Sequence, residues 1–263
     1  MEGKDAMRIR SLTVTITAIT IGFTFLFAQE TAAETNEIRV LASNGVKAVM
    51  EDIRPQCERT TGHPLAVQFN TTASLKERVE AGEAFDVAIF TSEVMDDLIK
   101  EGKIAGGTRA DVSRVGIGIG IRAGAPRPDI STPEALKQTL LKAKSITYTW
   151  NGASSVYNAR MFERLGIAGD VKPKIILQQE STRATASVAE GQNEFLITLI
   201  SEILPVQGIE LLGPLPAEVQ SYVDFRAGVS AKSKKAEAAK ALIEFLTSPT
   251  VAPTFKAKGM EPR

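Results

Sequence analysis

Hydroxyl- and amide-bearing residues recur in this chain as short clusters just ahead of helix-like runs. Ser43-Asn44-Gly45, Thr71-Thr72-Ala73-Ser74, Gly152-Ala153-Ser154-Ser155 and Ser181-Thr182-Arg183 are the four instances. A helix N-terminus presents backbone N–H groups without partners and a partial positive charge, so several converging termini can hold a small dehydrated anion with neutral donors alone. Ser, Thr and Asn are also ordinary N-caps, so each cluster taken singly needs no ligand. Their shared position is what points to binding. Catalytic chemistry has less to draw on. The single histidine, His63, lies in the turn Thr61-Gly62-His63-Pro64, with no serine or carboxylate at a recognisable spacing. The adjacent Asp96 and Asp97 read as helix-surface charges. The single cysteine, Cys57, extends the helical apolar stripe Val46, Val49, Met50, Ile53 and is expected in the core. One cysteine also excludes an internal disulfide and a zinc site built on several thiolates. The expectation is a chain with no catalytic residue, no metal and no cofactor, hence not an enzyme.

The elements that must position these clusters emerge from hydrophobic periodicity. Ile38 to Ala42, Leu65 to Phe69 and Asp86 to Phe90 read as strands, each followed by an amphipathic run: Val46 to Thr61, Ser74 to Ala81, and the segment carrying Val94, Met95, Leu98 and Ile99. Pro55 sits inside the first of these helices, where a kink or interruption is expected. A second run repeats the pattern. Strands are expected over Val115 to Ile121, Ser145 to Trp150, Lys174 to Leu177 and Phe195 to Ile200, with helices opening at Ser131-Thr132-Pro133, near Val156 and near Ala184. Lys232 to Leu246 reads as a closing amphipathic helix, and Gly213-Pro214-Leu215-Pro216 as a crossing between two lobes. Apolar strands alternating with helices indicate an α/β architecture with mainly parallel sheets, in which ligands sit at the carboxyl ends of the strands. All four polar clusters fall there. Gly116, Gly118 and Gly120 recur at period two, which suits close packing on one strand face rather than a phosphate loop.

Composition narrows the partners. The 263 residues are 43% hydrophobic, and Lys+Arg 31 balance Asp+Glu 31, so nothing favours a nucleic-acid partner. Lys4, Arg8 and Arg10 precede an apolar run from Leu12 to Phe27, shorter than the roughly 20 residues a membrane-spanning helix needs. With Thr31-Ala32-Ala33 as cleavage region, residues 1–33 read as a signal peptide and the mature chain as periplasmic.

The chain resembles the periplasmic substrate-binding proteins of ABC importers, in particular their molybdate-binding branch with the two-lobed type II fold. The resemblance rests on Ile38 to Asn44, Phe69-Asn-Thr-Thr-Ala-Ser-Leu75, Glu80-Ala81-Gly82, Phe85 to Ile89, Phe245-Leu-Thr-Ser-Pro249 and Phe255-Lys-Ala-Lys-Gly259. It implies one lobe from residues 34–114 and 217–263, a second from 115–216, and an anion in the cleft between them. It further implies a membrane permease as partner and a monomer in solution. Of the family's oxyanion contacts, one hydroxyl falls on Thr72 and two backbone N–H groups fall near Ser154 and Thr182. A serine contact falls on Gly45, with Ser43 and Asn44 beside it, and a tyrosine contact falls on or near Leu199. Neither Gly45 nor Leu199 has a side-chain donor, and each missing neutral hydrogen bond costs about 0.5–1.5 kcal/mol. That departure suits another small anion such as an organic carboxylate, for which the Arg183 guanidinium is a candidate partner. A periplasmic enzyme or a sensory module on the same scaffold is the alternative.

Overall fold

Alternation of apolar strands with amphipathic helices produces a ten-stranded mixed sheet covered on both faces. The structure, a computed structural model, describes residues 36–263, so the signal peptide read over 1–33 lies outside the described residues. Strand β1 (Ile38–Ser43) leads through a short 3-10 turn (Asn44–Val46) into α1 (Lys47–Thr61). Next come β2 (Leu65–Asn70), α2 (Thr72–Glu80), β3 (Val87–Thr91) and α3 (Ser92–Lys100). The long strand β4 (Ala110–Arg122) precedes α4 (Pro133–Lys142), β5 (Ile146–Thr149), α5 (Ser155–Arg164), α6 (Ala168–Val171), β6 (Ile175–Gln178) and α7 (Ser181–Ala189). The chain closes with β7 (Phe195–Leu199), α8 (Ile200–Ile203), β8 (Ile209–Pro214), β9 (Tyr222–Val229), α9 (Ala236–Leu246), α10 (Ala252–Ala257) and β10 (Met260–Pro262).

Strand order is β2-β1-β3-β9-β4-β7-β5-β6. The triplets β2-β1-β3 and β7-β5-β6 are parallel, whereas β9 runs antiparallel to β3 and β4, and β4 antiparallel to β7 and β8. Strand β4 changes partners along its length: Ala110 to Gly116 pair with β9, and from Ile117 onward the strand pairs with β7 and β8. The period-two glycines lie on this stretch. A Cβ on Gly118 would stand 2.9 Å from both Ile200 Cγ1 and Leu211 Cδ1, so the glycine lets α8 and β8 pack down onto the strand.

Several local expectations change. Helix α1 runs through Pro55 without interruption. Pro55 is exposed, so the carbonyl freed by its missing N–H faces water and the break is tolerated. The closing helix starts at Ala236 rather than Lys232, because Ser230 and Ser233 turn their side chains onto the N–H groups of Lys232 and Lys235 instead. Strands β8, β9 and β10 carry no counterpart in the periodicity reading. In β9 the signal was present as alternation: Val223, Phe225 and Ala227 are buried, with Asp224 and Arg226 between them more open.

The main core joins α1, α9 and β1 to the central strands and includes Cys57, which is fully buried and free. Burial pushes its thiol up to about 12. Buried Asp86 is satisfied by the Arg39 N–H at 2.9 Å and the Ser233 hydroxyl at 2.7 Å, so it holds β1 to the start of α9. Among the described residues, no helix is long and apolar enough to cross a membrane.

Candidate ligand-binding site

The polar clusters converge at one end of the sheet. Ser43, at the end of β1, accepts from the Gly45 N–H at 3.4 Å and closes the 3-10 turn. Thr71 caps α2 by accepting the Ser74 N–H at 3.3 Å, which puts Thr72 in the first helical position. The Thr72 hydroxyl is buried with no hydrogen-bond partner. Ser154 is the N-cap of α5 and is buried. In α7 the first intrahelical bonds run from the N–H groups of Arg183 and Ala184 to Glu180, so those of Ser181 and Thr182 lie ahead of them. The Thr182 hydroxyl itself turns to Glu180 Oε2 at 3.4 Å, leaving its backbone as the group the helix end presents.

Residues from the two ends of the sheet meet across this crevice. The Asn44 side-chain amide donates to Ser181 Oγ at 3.2 Å, and Asn151 donates to Ser74 Oγ at 3.3 Å. Tyr157 donates to Glu93 Oε1 at 3.2 Å, and Ser201 to the Gly45 carbonyl at 2.7 Å. The Asn151 Oδ1 atom, like Thr72 Oγ1, is buried and unpartnered. A cavity of about 230 Å³ lies alongside, bounded by Asn44, Lys47, Ala48 and Glu51 on one side and by Ser181, Thr182, Thr185, Ser201 and Glu202 on the other, with Pro205 and Val206 at its end.

Gly45 and Leu199 are parts of one packing arrangement. A Cβ on Gly45 would lie 2.5 Å from Phe225 Cζ and 2.8 Å from Leu199 Cδ1, so the two apolar side chains occupy the space a serine would need. Phe225 and Leu199 are buried, and the surface they present to Gly45 is carbon.

Arg183 does not point into the crevice. Its guanidinium donates to Gln192 Oε1 at 3.1 Å and pairs with Glu190 at 3.9 Å, at the far end of α7, with its side chain more than half exposed. The expected pairing of Arg183 with a ligand carboxylate is therefore corrected: the side chain runs along the helix toward two acceptors closer to water. His63 sits between α1 and β2, at the opposite end of the strands, bonded through Nδ1 to the Asn36 carbonyl at 2.8 Å. Asp96 and Asp97 pair with surface arginine and lysine side chains.

Glu202 is the site residue that periodicity missed. It lies in α8, directly after β7, and its carboxylate accepts from the Thr198 hydroxyl, with Ser181 on the same cavity wall. Desolvation nevertheless raises its carboxyl above the ordinary range, outweighing the hydrogen bonding that favours its charged form. The signal for it was again position: the segment immediately after a strand end, taken one strand further to β7, holds Ser201 and Glu202. Among the described residues, no cluster of three or more His, Cys, Asp or Glu side chains could hold a metal ion.

Residues 38–261 match the family of bacterial extracellular solute-binding proteins. The chain belongs to that family. This solute-binding protein is 24% identical over 234 residues to the molybdate-binding protein of Azotobacter vinelandii, covering 87% of this chain and 91% of the relative. The solved periplasmic molybdate-binding protein of the same organism superposes with a TM-score of 0.73 at 14% identity, covering 85% of this chain and 98% of that one, which shows the type II periplasmic-binding fold. The solute-binding protein is also 30% identical over 257 residues to an aconitate isomerase of a Pseudomonas species, covering 95% of this chain and 96% of the relative. That relative overturns the expectation that the chain is not an enzyme, since a protein matched over nearly its whole length carries a catalytic name. Machinery built on His or Ser is not the only kind: a half-buried carboxylate beside a polar crevice leaves no spacing signature.

Proposed function

We propose that this protein closes two lobes over a small unsaturated polycarboxylate and isomerises it. The observation that carries the binding half is the meeting of polar helix starts through the Asn44–Ser181 and Asn151–Ser74 bonds, beside which Thr72 Oγ1 and Asn151 Oδ1 are buried and unpartnered. Hydroxyls and amides at converging helix ends are suitable partners for a small anion, and these two are available at the ends of α2 and α5. An Asn amide can turn over to present its NH2 group, which makes Asn151 a donor to an anion. The N-termini of α2, α5 and α7 favour negative charge. Ser43, Asn44, Gly45, Thr72, Ser154 and Thr182 line this reading of the site. Packing of Leu199 and Phe225 against Gly45 leaves no room there for a serine hydroxyl, which favours a ligand other than a bare tetrahedral oxyanion. The named activity of the 30% identical relative supplies the reaction class.

The lobes are residues 34–114 with 217–263, and 115–216. The change of strand partners within β4 between Gly116 and Ile117 supports that division. Both lobes donate to the ligand, so the closed form is stabilised only when it is bound. Delivery of the bound anion to an inner-membrane ABC permease by a periplasmic monomer is the second reading, favoured by the family description and the molybdate-binding relative.

The test combines thermal unfolding with proton NMR, using cis- and trans-aconitate, citrate, smaller dicarboxylates, molybdate and sulfate. Stabilisation by aconitate together with interconversion of its isomers is expected. A shift with molybdate alone would overturn the carboxylate reading, and a shift with aconitate without interconversion would favour transport.

A further inference from the structure

We infer that Glu202 is the group that moves the proton in this site, with Ser181 and Asn44 positioning it. The inference rests on the unsaturated polycarboxylate reading above. Glu202 borders the cavity beside the crevice, together with Asn44, Ser181 and Ser201. Its carboxylate accepts from the Thr198 hydroxyl, and Ser181 lines the same cavity beside it. The Ser181 oxygen accepts from Asn44 at 3.2 Å and from Thr149 at 3.4 Å. A serine hydroxyl has two lone pairs and one proton, so with both lone pairs taken its proton is left for an acceptor on the cavity side, where Glu202 lies. Asn44 comes from the 3-10 turn after β1, on the other side of the crevice, so this chain of hydrogen bonds links the two sides. A ligand that holds the two sides together therefore holds this chain in place.

Other titratable groups are placed less well. Lys47 and Glu51 face the same cavity from α1, but both are open to water and pair with each other at 3.7 Å. Tyr157 and Glu93 bond to each other at the exposed edge of the crevice. His63 lies at the far end of the strands, and Cys57 is sealed in the core. Burial brings the Glu202 carboxyl up from the usual range, in the direction that makes a carboxylate a stronger base.

The step balances without a co-reactant. The Glu202 carboxylate takes a proton from the methylene carbon lying between a carboxylate and the double bond. The C–H electron pair enters the π system and gives an allylic carbanion spread onto the carboxylates, where helix N–H groups stabilise the added charge. Rotation about the loosened bond and return of a proton from the Glu202 carboxyl to the former vinylic carbon shift the double bond by one position. No proton, electron or leaving group is gained or lost overall.

The test uses the protein with trans- and cis-aconitate, following interconversion by proton NMR and binding by thermal shift. Glu202→Gln is expected to lower kcat by about 10²–10⁴-fold, the usual weight of a general base, while the dissociation constant stays within about threefold. Glu202→Asp should restore part of the rate and displace the acid limb of the pH–rate profile. Ser181→Ala should displace that limb as well, at retained binding, which a merely structural role would not do. Glu202→Gln turning over within threefold of the parent would overturn the assignment. A parent protein that binds aconitate and never interconverts it would instead overturn the isomerase reading, and this assignment with it.

Discussion

The side-chain amide of Asn44 donates to the hydroxyl of Ser181 at 3.2 Å, joining residues 137 positions apart. One opens the 3-10 turn after β1 and the other lies at the first position of α7, so this bond spans the crevice and ties its two walls. Asn44→Ala is expected to weaken ligand binding about 2- to 12-fold, the equivalent of ~0.5–1.5 kcal/mol for one neutral hydrogen bond. Titration by calorimetry checks it, and an unchanged dissociation constant would make the contact incidental to closure.

Thr72 trades stability against binding. Its buried hydroxyl has no partner, and an unsatisfied buried group costs about 1–3 kcal/mol. Thr72→Val keeps the shape and removes the orphan. Ligand-free stability in urea should rise by about 1 kcal/mol or more, while anion affinity falls. A variant that loses stability as well would mean that the hydroxyl is already satisfied without ligand.

Gly45→Ser tests the carbon wall. With Phe225 Cζ 2.5 Å from the position of an added Cβ, the serine overpacks the site and should cost about 1–3 kcal/mol. Phe225→Leu in the same chain should relieve part of that cost, so the double variant is less destabilised than the sum of the two single changes. Strict additivity in urea unfolding would show that the two positions do not share space.

The raised carboxyl of Glu202 makes stability pH-dependent in a definite direction. The folded state holds the proton more tightly than the unfolded one, whose carboxyl titrates near the ordinary 4.5. Stability from this group is therefore full below that pH and declines as pH rises through the folded-state value. Glu202→Gln should be more stable than the parent at pH 8, with the difference closing toward pH 4. Equal melting temperatures at every pH would contradict the burial of the charge.

Cys57, its thiol pushed up to about 12 in the core, should stay unmodified by a thiol reagent in the native protein at pH 8. Labelling should appear only in denaturant, at the rate of unfolding. Rapid native-state labelling would show that α1 opens locally.

Much of the molecule is legible in its residues. The stripe from Val46 to Cys57, the alternation of apolar strand and helix, and the polar clusters at strand ends are local patterns with local causes, and the structure places them at one end of the sheet. The close packing at the period-two glycines of β4 is also legible from spacing alone. Less visible were β8 and β9. Their partners lie far along the chain, and Pro214 at the end of β8 reads as a breaker until the partner-switching strand β4 is in place beside it.

For the candidate site, the sequence by itself placed hydroxyl and amide clusters after strand ends and showed that Gly45 and Leu199 carry no side-chain donors. Only the tertiary structure decided that Gly45 and Leu199 share one packing arrangement, because the contact among Gly45, Leu199 and Phe225 joins three segments no periodicity connects. It likewise turned Arg183 toward Glu190 and Gln192, and set Glu202 against Ser181 and Thr198. Helix and strand propensities act over a few residues and so can be read in order along the chain. Burial of a charge and exclusion of a side chain are properties of the packed volume, which exists only after distant segments have met.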